Sequence, residues 1–123
     1  MTLDANIIIG YLDGDEEIIK ALRHWQERGY TFFLSAVAEA EILSFSEWTP
    51  IEQRVTEEFL EENFTSISFD RYLARIAAQI RRNSKIKFPD AAIAATAIFT
   101  RSPLVTRNIK DFKKVSGLEI ITI

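Results

Sequence analysis

Cysteine is absent from this 123-residue chain, which excludes disulfides, zinc–thiolate centres and thiol nucleophiles together. Histidine is nearly absent. His24 stands alone in the polar stretch Arg23-His24-Trp25-Gln26-Glu27 and reads as a solvated helix residue, so a triad that needs an imidazole base has none to use. With only 4 glycines there is no glycine-rich loop to cradle a phosphate. No apolar run approaches the roughly 20 residues of a membrane-spanning helix. The opening Met1-Thr2-Leu3-Asp4 lacks the basic segment and cleavage site of a secretion signal. The expectation is a cytoplasmic protein with no membrane association, whose chemistry comes from acids and a metal.

What remains is ample for a core. The chain is 47% hydrophobic, has no linker, repeat or low-complexity stretch, and is read as one domain over residues 1–123. Its net charge of −3 hides an asymmetry: residues 1–70 hold 4 Lys/Arg against 15 Asp/Glu, and residues 71–123 hold 11 against 3. Phosphate binding responds to local potential, so a basic rim is compatible with an acidic whole. Two complementary faces that pair within the fold or across a dimer are the alternative.

Short apolar runs alternate with helical periodicity. Met1–Leu3 reads as a strand and Ala5–Leu12 as a helix, with Asp13-Gly14-Asp15 a turn bearing capping residues. Ile18, Ile19, Leu22 and Trp25 predict a helix over 16–28, stopped by Gly29. Thr31–Leu34 is β-rich, and Ser35 suits the N-cap of a helix carrying Val37, Glu41 and Ile42. Pro50 opens a helix with Ile51, Val55 and Phe59; Thr65–Phe69 reads as a strand; Asp70 caps a helix over 71–83. Pro89 and Asp90 open an almost wholly apolar helix, and Leu104–Thr106 and Glu119–Ile121 close the chain as strands. This alternation predicts an α/β fold with a mainly parallel sheet.

Four acids fall at the junctions of these elements: Asp4, Glu41, Asp90 and Asp111. A carboxylate beside an apolar run is expensive to desolvate without a partner. In parallel sheets, ligands gather beyond the carboxyl ends of strands, where acids distant in sequence can converge. Oxygen-only donors suit Mg²⁺ or Mn²⁺, and such a site can activate water and clamp a phosphate. Taken singly, each acid reads as a cap, turn or surface residue; taken as a set they read as a metal site.

The segments around these acids are Leu3-Asp4-Ala5-Asn6-Ile7-Ile8-Ile9, Ser35-Ala36-Val37-Ala38-Glu39-Ala40-Glu41-Ile42, Pro89-Asp90-Ala91-Ala92-Ile93-Ala94-Ala95-Thr96-Ala97 and Leu104-Val105-Thr106-Arg107-Asn108-Ile109-Lys110-Asp111-Phe112. In this order the chain resembles the PIN domain, and specifically the VapC-type toxin ribonucleases, over essentially its whole length. The resemblance implies a PIN-like three-layer sandwich with a central, mainly parallel five-stranded sheet flanked by helices. It also implies Mg²⁺- or Mn²⁺-dependent endoribonuclease action on RNA, as the toxin of a toxin–antitoxin pair. Asp4, Glu41 and Asp90 match the three core acids and metal ligands, and Asp111 a more variable fourth, for which Asn108 is the rival position. Thr106 matches a supporting hydroxyl and Asn6 a polar residue beside the first acid. Ala5 departs from the Thr or Ser common there, and Glu39, two residues from Glu41, points elsewhere.

Arg101, Arg107, Lys110, Lys113 and Lys114 are the cations expected to guide the RNA backbone. The implied partners are a VapB-type antitoxin and a second copy of the chain in a homodimer. The segment Ile42–Trp48 and the helix bearing Ile51, Val55 and Phe59 are the expected walls of the antitoxin groove. Two rivals stand beside this reading. One is a catalytically inactive PIN-like binding scaffold, which has no need of four costly carboxylates. The other is a receiver or small phosphatase on a doubly wound sheet, for which the phosphorylatable Asp with a downstream Lys is not evident.

Overall fold

The computed structural model describes residues 1–123. Its five strands are β1 (Thr2–Leu3), β2 (Phe33–Ser35), β3 (Thr65–Ile67), β4 (Leu104–Val105) and β5 (Ile120–Ile121). They form one sheet in the order β3-β2-β1-β4-β5, and every pairing is parallel. The helices are α1 (Ala5–Leu12), α2 (Glu16–Glu27), α3 (Ala36–Leu43), α4 (Pro50–Asn63), α5 (Arg71–Ser84), α6 (Phe88–Thr100) and α7 (Ile109–Phe112). No helix is long and apolar enough to cross a membrane.

Local chemistry sets the helix ends. Asp15 accepts from the backbone N–H groups of Glu17 and Ile18 to cap α2, and Asp70 accepts from Leu73 to cap α5. Thr49 and Glu52 form a reciprocal capping box at α4, with Pro50 in the first turn, where its missing N–H costs nothing. The expected β-rich run Thr31–Leu34 is displaced toward Ser35, which both ends β2 and accepts from Val37 N–H to cap α3. Helix α7 has no counterpart in the sequence reading, because four residues are too few to display a helical period.

The core lies between the sheet and helices α1, α3 and α6. Leu3, Ile7, Ile8, Leu34, Ile93, Leu104, Val105 and Phe112 are all fully buried. Residues Ala91 to Ala97 of α6 are buried without exception. Their small side chains let this helix pack against β1 and β2, as expected of a helix apolar on most sides. Gly10 does the same for α1 and α2: a Cβ there would fall 2.5 Å from Ile18 Cδ1.

The chain leaves β1 toward β2 and β3 on one side, then returns to β4 and β5 on the other. The crevice of such a sheet opens where this reversal occurs, between β1 and β4. Asp4 follows β1 and Thr106 follows β4, so the topology brings these two residues side by side.

Candidate active site

Asp4 sits at the foot of the crevice. It is the N-terminal cap residue of α1 and is only 4% exposed. Thr106 Oγ1 donates a 2.7 Å hydrogen bond to its Oδ2. The N–H groups of Ala5 and Asn6 face the carboxylate without closing a capping hydrogen bond. Oδ1 therefore has no formed partner. Every fully buried side-chain polar atom in the protein is hydrogen-bonded, so Oδ1 opens to the crevice. Burial pushes the Asp4 pKa up, and the Thr106 hydroxyl and the two N–H groups hold it back.

Glu41 and Asp90 lie within electrostatic reach of Asp4, and Asp111 within reach of Asp90. Glu41, on α3, has its pKa raised by partial desolvation, then by the negative charges of Asp4 and Asp90. Asp90, in the first turn of α6, is raised by desolvation, then by Asp4 and Asp111, with Lys87 opposing. Asp111 is different. Asn108 Nδ2 donates to its Oδ2 at 3.1 Å, and this bond, aided by Lys114 and Lys110, holds its pKa below the usual carboxylate range. The four acids singled out in the sequence are thus linked in pairs, Asp4 with Glu41 and with Asp90, and Asp90 with Glu41 and with Asp111.

The turn after β4 organises two of them at once. Asn108 backbone N–H donates to Thr106 Oγ1 at 2.9 Å, which aims that hydroxyl's own proton at Asp4. The Asn108 side chain, instead of capping α7, reaches Asp111. In sequence Asn108 and Asp111 are rivals for one position; in the fold they are partners.

Other expected residues separate. Asn6 is exposed, and its side chain makes no hydrogen bond. Lys110 is exposed beside Asp111. Arg107 does not stand free: its Nη1 donates to Asp15 Oδ2 at 2.7 Å, and its Nη2 lies 3.5 Å from Glu17. Arg101 ends α6, roughly 16 Å along the helix from Asp90. It neighbours the hydroxyl cluster of Thr100, Ser102 and Thr2 at the amino edge of the sheet, away from the acids. Sequence reasoning gave Asp15 only a capping role and gave Lys87 none; the ion pair across 92 residues and the approach of Lys87 to Asp90 carry no local signal.

The donor set suits a hard divalent cation. It is oxygen-only, carries mutually repelling charges and offers an accessible Asp4 oxygen. No three acids close into a cage of their own. A hard cation such as Mg²⁺ or Mn²⁺ would need water or substrate phosphate to complete its shell there. Beside the acids lies a cavity of about 600 Å³ lined by Ile9, Leu12, Asp13, Glu41, Ile42, Ser44, Phe45, Trp48 and Glu52. Phe45 is 52% exposed there and meets Trp48 edge-on, with ring centroids 5.3 Å apart. Trp48 Nε1 donates to the Ile42 carbonyl at 3.3 Å.

Fold and cleft together define a parallel α/β protein whose acids gather where the sheet reverses direction. The chain belongs to the PIN-domain family, whose model matches residues 1–118. It is 35% identical over 71 residues to Ribonuclease VapC of Rickettsia bellii. That alignment spans 54% of this chain and 53% of the relative, about half the length of each. Among solved structures, a toxin–antitoxin complex from Klebsiella pneumoniae is similar at a TM-score of 0.83 and 30% identity, covering 98% of this chain and 95% of that one. VapBC2 from Rickettsia felis, bound to a DNA fragment from its promoter, shares the fold at a TM-score of 0.84 and 24% identity, covering 99% and 97%.

Proposed function

We propose that this protein is a metal-dependent endoribonuclease and the toxin half of a toxin–antitoxin pair. The observation that carries the reading is the state of Asp4: buried, fixed by Thr106, open at one oxygen, and electrostatically coupled to Glu41 and Asp90. Similarity to the Rickettsia bellii ribonuclease and to the Klebsiella pneumoniae toxin–antitoxin complex supports it.

Asp4 and Asp90 would hold Mg²⁺ or Mn²⁺ directly, with Glu41 bound or one water away and Asp111 on a second ion or a water. Bound there, the cation would activate water and neutralise charge developing on the scissile phosphate. The protein's own part is orientation. Thr106 keeps the Asp4 carboxylate from rotating, and Asn108 keeps Asp111 ionised and aimed. Lys110 and Lys114, beside Asp111, supply positive charge for incoming phosphate.

The cavity flanked by Phe45 and Trp48 opens beside Glu41, and Ile51 and Val55 of α4 expose 66% and 58% of their surface. Exposed aromatics beside a concavity suit a partner's apolar side chains, and we assign this surface to a VapB-type antitoxin. A homodimer would use another face.

The test is cleavage of end-labelled single-stranded RNA by the purified protein with Mg²⁺, Mn²⁺ or EDTA. Cleavage in either metal, lost in EDTA and in Asp90→Asn, is the expected result. Cleavage that survives both treatments would overturn the metal mechanism, and a folded, metal-supplied protein that cuts no RNA would favour the inactive-scaffold reading.

A further inference from the structure

The cations of the second half of the chain concentrate on one surface. Arg81, Arg82 and Lys85 lie at the end of α5, Lys87 precedes α6, and Lys110, Lys113 and Lys114 lie on and just after α7; all seven are exposed. Ser84 Oγ donates to the Lys114 carbonyl at 3.1 Å, so the two stretches abut although 30 residues separate them in sequence. Arg81 Nε donates to the Ile86 carbonyl at 3.2 Å and holds the α5–α6 turn, where Lys85 takes a left-handed backbone. Arg81, Arg82, Lys85 and Ile86 line a shallow depression there.

The band begins at the acids. Lys114 Nζ is 3.7 Å from Asp111 Oδ1, and Lys87 stands one helical turn before Asp90. Lys114 is the only one of the seven with an ion-pair partner. Arg107, by contrast, is neutralised by Asp15 and Glu17, and Arg101 lies at the far edge of the sheet. Helix α4 carries Glu52, Glu57, Glu58, Glu61 and Glu62, so the field is strongly polarised. A crowd of unpaired like charges is mutually repulsive, and a polyanion laid across it reverses that cost while releasing its own counterions.

We infer that the band running from Lys87 past Lys85 and Arg82, and along Lys110 and Lys113, binds the phosphate backbone of the RNA outside the acidic cleft, on one side of the scissile bond. The inference rests on the ribonuclease reading and deepens it. Recognition by exposed point charges is indifferent to base sequence and grows with the length of RNA that reaches the band.

Arg82→Glu with Lys85→Glu tests it, since neither side chain contacts the acids and Arg81 is left to hold the turn. Binding of a labelled 20-nucleotide single-stranded RNA is followed by fluorescence anisotropy in an Asp90→Asn background, at 50 to 200 mM salt. The expected result is binding weaker by on the order of 10-fold at low salt, with a log–log salt slope shallower by about 1.4, or about 0.7 for each phosphate no longer neutralised. In the cleavage-competent protein the same pair of substitutions raises KM for the 20-mer, leaves its kcat unchanged, and leaves cleavage of a tetranucleotide unchanged. Unaltered binding and salt slope would overturn the inference, as would a glutamate homopolymer that binds through these residues as tightly as RNA. A wild-type chain that binds RNA through the band but never cuts it would strike the ribonuclease reading and leave the band standing.

Discussion

Thr106 Oγ1 and Asp4 Oδ2 lie 2.7 Å apart across 102 residues of sequence. This one hydrogen bond ties the turn after β4 to the acid that follows β1. Because the hydroxyl also accepts from Asn108 N–H, its proton is directed at the carboxylate. Thr106→Val keeps the shape and removes the donor, leaving a buried charge short of a partner. Stability should fall by about 1–3 kcal/mol, the Asp4 pKa should rise further, and RNA cleavage should slow without being abolished. Thr106→Ser should restore most of both. Denaturant melts, NMR titration of Asp4 and cleavage rates check this.

Asp4, Glu41 and Asp90 all have folded-state pKa values raised above their ordinary range. Well below the ordinary carboxylate range, at about pH 2, these acids are protonated in both folded and unfolded chains, so they cost the fold nothing. As pH climbs through the raised folded values, the unfolded chain ionises more readily, and stability falls to a lower plateau. Without metal, Asp90→Asn should therefore melt higher than the parent at pH 7 and match it at about pH 2, while losing RNA cleavage. Added Mg²⁺ should raise the melting temperature of the parent more than that of the variant. Calorimetry at the two pH values, with and without metal, checks both.

The Arg107–Asp15 pair responds in the opposite direction. Hydrogen bonds from Arg107 hold the Asp15 pKa down, so its contribution to stability is present above the ordinary carboxylate range and is lost as pH falls through the lowered value. Both side chains reach solvent, so the effect should shrink at 1 M salt. A double-mutant cycle of Arg107→Ala and Asp15→Ala, run at low and high salt and from pH 7 downward, should show coupling that is largest at low salt and neutral pH and is lost as pH falls through the lowered Asp15 value.

Phe45 and Trp48 should separate on truncation. Phe45 is half exposed and outside the core, so Phe45→Ala should change stability by no more than about 0.5 kcal/mol while weakening antitoxin binding by about 2 kcal/mol. Trp48 also donates to the Ile42 carbonyl, so Trp48→Ala should cost both affinity and stability. Calorimetric titration with the antitoxin, alongside thermal melts, checks the pair.

Ile93 is fully buried at the middle of α6. Ile93→Ala should cost about 2–5 kcal/mol with little effect on the pKa of Asp90 one turn away. NMR titration and denaturant unfolding separate the two.

Several features are legible from the amino acids alone because their cause is local. Ser35, Asp70 and Pro50 sit where helices begin, and a cap is written within three residues of the N–H it satisfies. Alternation of apolar runs with helical stripes forecasts an α/β protein, and the absence of cysteine and of a usable histidine leaves only oxygen donors. Asp4, Glu41, Asp90 and Asp111 can be named because each stands at a junction, and in the fold they feel one another's charge in pairs, Asp4 with Glu41 and Asp90, and Asp90 with Asp111.

The cations are harder to read. Arg107 and Arg101 are chemically alike, and so are Arg82 and Lys85, yet the fold ties the first to Asp15, sends the second to the far edge of the sheet and leaves the other two exposed and unpaired at the end of α5. Helix α7 and the Asn108–Asp111 bond are also out of reach of sequence. What the sequence determined by itself is which chemistry this protein has and where each element starts, because those signals act over one turn of chain. Which acids meet, which hydroxyl aims them and which cations stay free was decided by the order β3-β2-β1-β4-β5, since that order emerges only when buried apolar surface from the whole chain is satisfied at once.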